Sequence, residues 1–215
     1  LDRRLGQAGV ESARIAGICV SHEHADHVAG LAVFHRRHGP SLYANSATRE
    51  ALAGDADLAA LPWRVFGAGQ RFAIGDLTVE PFSVSHDALD PVGFVVSDGA
   101  TRAGVVTDMG LATEMVRQHL RTCRVLVLES NHDEYLLRNS RRPPSLIQRI
   151  AGRQGHLSNE RAAKLLAEIA SPSLARVYLA HLSDECNRPD LALRAARAAL
   201  DKAGRTVVTL HVAAA

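Results

Sequence analysis

Ser21-His22-Glu23-His24-Ala25-Asp26-His27 decides how this chain is read. Three imidazoles and a carboxylate stand in the spacing H-x-H-x-D-H, directly after the apolar run Ile18-Cys19-Val20. That run predicts a short strand, Ile15 to Ser21, which delivers the motif at its C-terminal end. On extended backbone, residues two apart point to the same side, so His22 and His24 converge on one point. Asp26 and His27 follow where the chain turns and can face a second point close by. Neutral imidazole and carboxylate are the donors that suit zinc, manganese and iron. A surface loop that merely holds histidines is the plain alternative, and so dense a pattern speaks against it.

Working outward, the same arrangement recurs. A β run over Leu77 to Ser85 leads to His86, and one over Ala103 to Thr107 leads to Asp108. Arg124 to Leu128 lead to Glu129-Ser130-Asn131-His132, and Arg176 to Ala180 lead to His181. Taken singly, each of these is an ordinary packed histidine or turn residue; taken together, they lie at one end of successive strands. A sheet carries such residues to a common rim, where α/β architectures place their sites. Gly75-Asp76 and Asp98-Gly99 predict hairpins, the second joining Val92 to Ser97 with Ala103 to Thr107. Helices are predicted at Leu1 to Ala8, Ala29 to His38, Ala47 to Ala53 capped by Ser46, and Leu111 to Leu120. Others follow at Pro144 to Ala151, at Ser158 to Ala170 with Ser158 as cap, and at Leu191 to Ala203. Gly54 to Leu61 read as loop, Ser41 to Ala44 as a short strand, and Thr206 to Val212 as a closing strand.

Composition narrows the class. The chain has 215 residues, 47% hydrophobic and 22% charged, with a net charge of +2, so attraction to nucleic acid requires a local patch. Its three cysteines, Cys19, Cys123 and Cys186, are scattered and form no C-x-x-C pair. They argue for reduced thiols in a reducing, cytoplasmic setting and against a thiolate metal site. There is no apolar run of about 18 residues and no basic-then-apolar leader, so neither a membrane span nor a signal peptide is expected.

With these residues in hand, the chain resembles the metallo-β-lactamase superfamily and, within it, the WalJ/YycJ-type exonucleases. The likeness rests on the H-x-H-x-D-H motif and on Ser85-His86-Asp87-Ala88-Leu89-Asp90-Pro91-Val92-Gly93-Phe94. It also rests on Asp108, Glu129-Ser130-Asn131-His132-Asp133, Gly155-His156-Leu157-Ser158-Asn159, and the block from Ala180-His181 to Asn187. It spans nearly the whole chain.

The resemblance implies an α/β (α+β) protein with an αββα sandwich, as a single domain over 1–215. It implies that His22, His24, His86 and Asp108 hold one divalent metal. Asp26, His27, Asp108 and His181 would hold a second, with Asp108 bridging; zinc or manganese is expected, and iron is compatible. Such a pair lowers the pKa of water, so that a metal-bound hydroxide attacks while both cations stabilise the displacement. Asp26 would orient that hydroxide, and His156 and His181 would share in catalysis. Glu129, Asn131 and His132 would support the ligands or touch substrate, or simply pack at a strand end. Ser158, Asn159 and Asn187 would contact substrate, since a helix N-terminus beside an imidazole suits phosphate. His35, His38, His119 and His211 are read as structural or solvent-exposed.

In this family several strands and a glycine-rich turn precede the first histidine motif. Here 21 residues precede His22, so the first sheet is expected to lack its opening strands and to expose an edge. The donor set, without cysteine, favours phosphodiesters. Arg138, Arg141, Arg142, Arg149 and Arg153 form a local basic group fit to track a nucleic-acid backbone or simply to stay solvated. The expectation is a two-metal phosphodiester hydrolase acting on DNA as an exonuclease, 5′ to 3′ by resemblance. Two readings stand beside it. A hydrolase of small esters or cyclic phosphodiesters would carry a closed pocket without a basic channel. A catalytically silent metal-bearing regulatory protein would carry a single or water-excluded metal site.

Overall fold

The computed structural model describes residues 1–67 and 69–213. Two sheets lie face to face, and helices cover their outer faces. The small sheet has the order β1 (Gly17–Cys19), β2 (Ser41–Asn45), β3 (Trp63–Phe66), all parallel. The large sheet comprises β4 (Phe72–Ile74), β5 (Leu77–Ser83), β6 (Val92–Ser97), β7 (Arg102–Val106), β8 (Val125–Glu129), β9 (Arg176–Ala180) and β10 (Thr209–Val212). They lie in the order β10-β9-β8-β7-β6-β5-β4. Strands β4 to β7 pair antiparallel; tight turns join β4 to β5 and β6 to β7, where Gly75 and Gly99 adopt positive φ (58° and 89°) that side chains resist, and the longer segment 84–91 joins β5 to β6. Strands β7 to β10 pair parallel and therefore need helical crossovers.

The helices are α1 (Asp2–Gln7), α2 (Ala25–Val28), α3 (Leu31–His38), α4 (Ser46–Ala51), α5 (Ala56–Ala59), α6 (Glu114–Arg121), α7 (Glu134–Arg138), α8 (Pro144–Ala151), α9 (Asn159–Ile169) and α10 (Pro189–Lys202). Strand alternation sorts the core into three layers. On β2, Leu42 and Ala44 face outward and pack with Leu31 of α3, Leu52 and Leu58. Tyr43 faces inward and joins Phe66, Val79, Val92 and Phe94 between the sheets. On β6, Val95 points the other way, to the layer where Leu120, Leu166 and Leu200 of α6, α9 and α10 cover the large sheet. A two-residue side-chain period therefore produces the αββα arrangement.

Several local expectations change. Asn45, not Ser46, caps α4, because its carboxamide oxygen accepts from the Thr48 amide at 2.8 Å. The stretch expected as loop holds α5, capped by Asp55. Strand β3 and helix α7 were not foreseen, and the helix expected from Leu111 starts at Glu114, where Thr113 caps it. Among the described residues no strand precedes β1, which forms one edge of the small sheet. No helix of the described residues is long and apolar enough to cross a membrane.

Candidate metal centre

The first motif is held extended from outside. The Val20 amide donates to the Tyr43 carbonyl of β2, and the Val92 amide of β6 donates to the Ser21 carbonyl, so both sheets grip the segment before His22. The chain turns at His24, and α2 begins with Asp26 and His27 in its first turn. His22 is buried; the Asp26 side chain is 65% exposed. The Ser21 hydroxyl lies 3.0 Å from His22 Nδ1 and 3.2 Å from His27 Nδ1.

The remaining residues arrive singly from the large sheet. His86 follows β5, Asp108 follows β7, Glu129 ends β8 and His181 follows β9. Their donor atoms fall into groups in which every atom lies within 4.8 Å of the others: His22, His24, His86; His22, His27, Asp108; Asp26, His27, His181; and Asp108, Glu129, His156, His181. Asp108 sits between the rest, with Oδ2 3.2 Å from His27 Nε2 and Oδ1 3.8 Å from His86 Nε2 and 3.5 Å from His181 Nδ1. Among described residues other than glycine, Asp108 and His181 alone have left-handed backbone, φ 56° and 57°. That conformation costs about 1–2 kcal/mol for a residue with a Cβ, and it turns both side chains back over the sheet rim.

Glu129 organises this half. The side chain is fully buried. Its Oε2 accepts from the Met109 amide (2.9 Å) and the Leu157 amide (3.1 Å), and its Oε1 faces Nδ1 of His156 (2.7 Å) and Nδ1 of His181 (3.0 Å). Both oxygens are saturated, so Glu129 orients imidazoles and is poorly placed to ligate a metal. The carboxylate makes Nδ1 the proton-bearing nitrogen of each ring and leaves Nε2 for the cleft. Similarly, the Gly155 carbonyl 3.2 Å from His86 Nδ1 turns His86 Nε2 to the cleft, 3.3 Å from both His24 Nδ1 and Asp87 Oδ1. Gly155 is required there, because a Cβ would lie 2.2 Å from the carbonyl oxygens of Arg149 and Ile150.

Charge and burial divide the histidines. Burial drives His22 down to about 4, with the nearby His27 adding to the effect, and burial also lowers His86. Burial works against protonation of His156 and His181 too, but Glu129 and Asp108 outweigh it and raise both, His181 to about 9. Asp108 would be raised by burial, yet His27 and His181 hold it well below the usual carboxylate range. The donor set fits cations on a further ground: His22 Nε2 is buried without any hydrogen-bond partner, and Asp108 Oδ2, also buried, faces only His27 Nε2 at 3.2 Å. A buried acceptor left without a partner is costly unless something positive meets it.

A cleft of about 420 Å³ opens over these groups. Its lining includes His24, Asp26, His86, Asp108, His156 and His181. Ser158, Asn159 and Asn187, expected to meet substrate, are instead buried in a knot behind it. The Ser130 hydroxyl donates to Asn159 Oδ1 (2.6 Å), the Asn159 amide to Asn187 Oδ1 (2.9 Å), and the Asn187 amide to the Ser130 carbonyl (2.7 Å). Ser158 caps α9 and donates to Glu134. The physical reason is simple: at a strand end covered by a helix, these polar groups have no solvent and satisfy one another. His132 is buried beside a separate hollow with Arg138 and Arg161, and burial lowers it to about 4. His35 bonds the Pro40 carbonyl, His38 pairs with Asp2, and His119 and His211 stack on Phe82 and Tyr178, all outside the cleft.

Residues 2–182 match the family model described as a β-lactamase superfamily domain. A solved structure, the metallo-β-lactamase fold protein YhfI from Bacillus subtilis, superposes with a TM-score of 0.73 at 15% identity, covering 99% of this chain and 79% of that one. The chain belongs to the metallo-β-lactamase superfamily. It is 33% identical over 201 residues to exodeoxyribonuclease YycJ of Bacillus anthracis, covering 92% of this chain and 75% of the relative. It is also 33% identical over 178 residues to exodeoxyribonuclease WalJ of Streptococcus pneumoniae, covering 81% and 66%.

Sequence reasoning missed one contributor in this metallo-β-lactamase chain. Asp87 lines the cleft and pairs with Arg149; adjacency to His86 was the available signal. Asn131, which the sequence offers with Glu129 and His132 as support for the ligands or a substrate contact, lines the cleft and donates to the His181 carbonyl at 2.9 Å.

Proposed function

We propose that this chain is a two-metal phosphodiesterase that degrades DNA from an end, in the 5′ to 3′ direction, with its two sheets working as one unit around the cleft. The carrying observation is the donor constellation centred on Asp108, with the buried and unpartnered His22 Nε2 beside it; the two exodeoxyribonuclease relatives supply the substrate class. His22, His24, His86 and Asp108 would hold one cation, and Asp26, His27, Asp108 and His181 the other, zinc or manganese suiting donors of this kind. Bound there, such cations lower the pKa of water towards neutrality and stabilise negative charge on the phosphate.

The chain's own groups do the rest. Asp26, exposed and 3.8 Å from His181 Nε2, orients water at the centre. His156, whose protonated form Glu129 favours, would offer Nε2–H to the cleft as a proton donor for the leaving oxygen. Glu129 fixes the ring orientation of His156 and His181 together. A cytoplasmic location suits three free cysteines, of which Cys19 and Cys123 are pushed by burial to about 12 and about 11.

The test is to strip the protein of metal, reload it with Mn²⁺ or Zn²⁺ and follow end-labelled duplex DNA beside Asp108→Ala. Progressive shortening from the 5′ end, absent in the variant, is expected. Intact DNA with two metals bound per chain would overturn the reading.

A further inference from the structure

Of the five arginines between Glu129 and His156, Arg142 and Arg149 line the cleft, whereas Arg138 and Arg153 line other hollows. Both belong to the segment from α7 to α8 that forms one wall of the cleft. Helix α8 has no buried residue, and Leu146 and Ile150 turn towards the cleft beside Arg149. Neither cleft arginine is free. Arg149 Nε binds Asp87, the residue after His86. Arg142 places Nε and a terminal nitrogen 3.0 Å and 2.9 Å from Glu185 Oε2, in the loop after His181. The two pairs therefore clasp this wall to the two loops that carry His86 and His181.

Each clasp is built to exchange. The Arg149 side chain is 63% exposed and the Glu185 side chain 58%, so each pair is screened by water and contributes little as a fixed bond. A guanidinium presents the same planar fork to a phosphate as to a carboxylate. Asp26, Asp87, Asp108 and Asp184 also line the cleft, so a polyanion meets repulsion unless the arginines are released towards it.

We propose that Arg142 and Arg149 are the cleft's contacts to the phosphate backbone of the nucleic acid, and that Glu185 and Asp87 occupy them as internal stand-ins until phosphates displace them. This rests on the nuclease reading and specifies how the substrate is held. It makes an unusual demand: removing an acidic charge at either clasp improves binding, and does so only while its arginine is present.

The measurement is binding of a fluorescent, cleavage-resistant phosphorothioate duplex to the metal-loaded protein across a range of NaCl concentrations, with metal content checked in every variant. Arg149→Gln and Arg142→Gln should each weaken binding by about 3- to 10-fold and lower the salt slope by about one. Asp87→Asn and Glu185→Gln should each tighten it several-fold, and the Asp87→Asn gain should vanish in the Arg149→Gln background. A gain cannot arise from misfolding. Amide variants that bind within twofold of the parent, or more weakly, overturn the clasp, as does DNA that binds none of the proteins. A parent that degrades DNA but ignores all four substitutions removes the clasp alone. A parent whose binding follows the clasp pattern but which leaves DNA intact removes the nuclease reading alone.

Discussion

The two sides of the cleft are built differently. On the small-sheet side, His22, His24, Asp26 and His27 come from one short stretch, held extended by backbone bonds from both sheets and then wound into α2. On the large-sheet side, His86, Asp108, Glu129 and His181 come from four separate strands, two of them on left-handed backbone and two imidazoles tied to one buried carboxylate. The first side is specified by local chain geometry. The second exists only after the sheet has formed, and it stores the cost of its own placement.

The largest test of that difference is Glu129→Ala against Asp26→Ala in metal-free protein. Glu129→Ala strips the Met109 and Leu157 amides and two imidazoles of their partner, and should cost about 3–5 kcal/mol in denaturant unfolding. Asp26→Ala should stay within about 0.5 kcal/mol, since its side chain meets water. Equal losses would erase the distinction.

Next in size is a pH effect. His181 is raised to about 9 in the folded chain, against about 6.5 unfolded. Its contribution to stability is therefore complete below about pH 6.5 and is lost as pH rises through about 9. His156, raised by the same carboxylate, acts in the same direction. Metal-free protein should lose on the order of 2 kcal/mol across that window, and metal affinity should climb over it as the imidazoles release protons. Thermal melting with chelator at the two ends checks this; a flat profile, or one unchanged in Glu129→Gln, would show that Glu129 does not charge these rings.

The smallest effect sharpens the contrast by its sign. At Asp108 and His181, glycine should be more stable than alanine by about 1 kcal/mol, because only alanine resists positive φ. At His22 and His24, on ordinary backbone, glycine should be the less stable by about 0.5–1 kcal/mol. The four pairs of melting curves would be read together.

Legibility follows the same division. The hairpins at Gly75-Asp76 and Asp98-Gly99, helix α8 and the Ser158 cap were readable because each depends on neighbours in sequence. Strand β3 was not: Trp-Arg-Val-Phe is too short for periodicity to register, and it is a strand only because β2 pairs with it in parallel from far along the chain. Ser158, Asn159 and Asn187 mislead for a related reason. Small polar residues near a strand end serve equally to grip a phosphate or to satisfy one another, and their types do not tell which.

What the sequence by itself determined is the chemistry on offer: H-x-H-x-D-H, His86, Asp108 and His181, imidazoles and carboxylates at the ends of successive strands. What only the tertiary structure decided is which of them are charged, strained or shielded. Glu129 becomes the hub of two imidazoles, and Arg149 the partner of Asp87, because β8 ends beneath His156 and α8 lies along the cleft. Periodicity and capping act over a few residues, whereas burial and charge pairing depend on what the completed fold brings within a few ångströms.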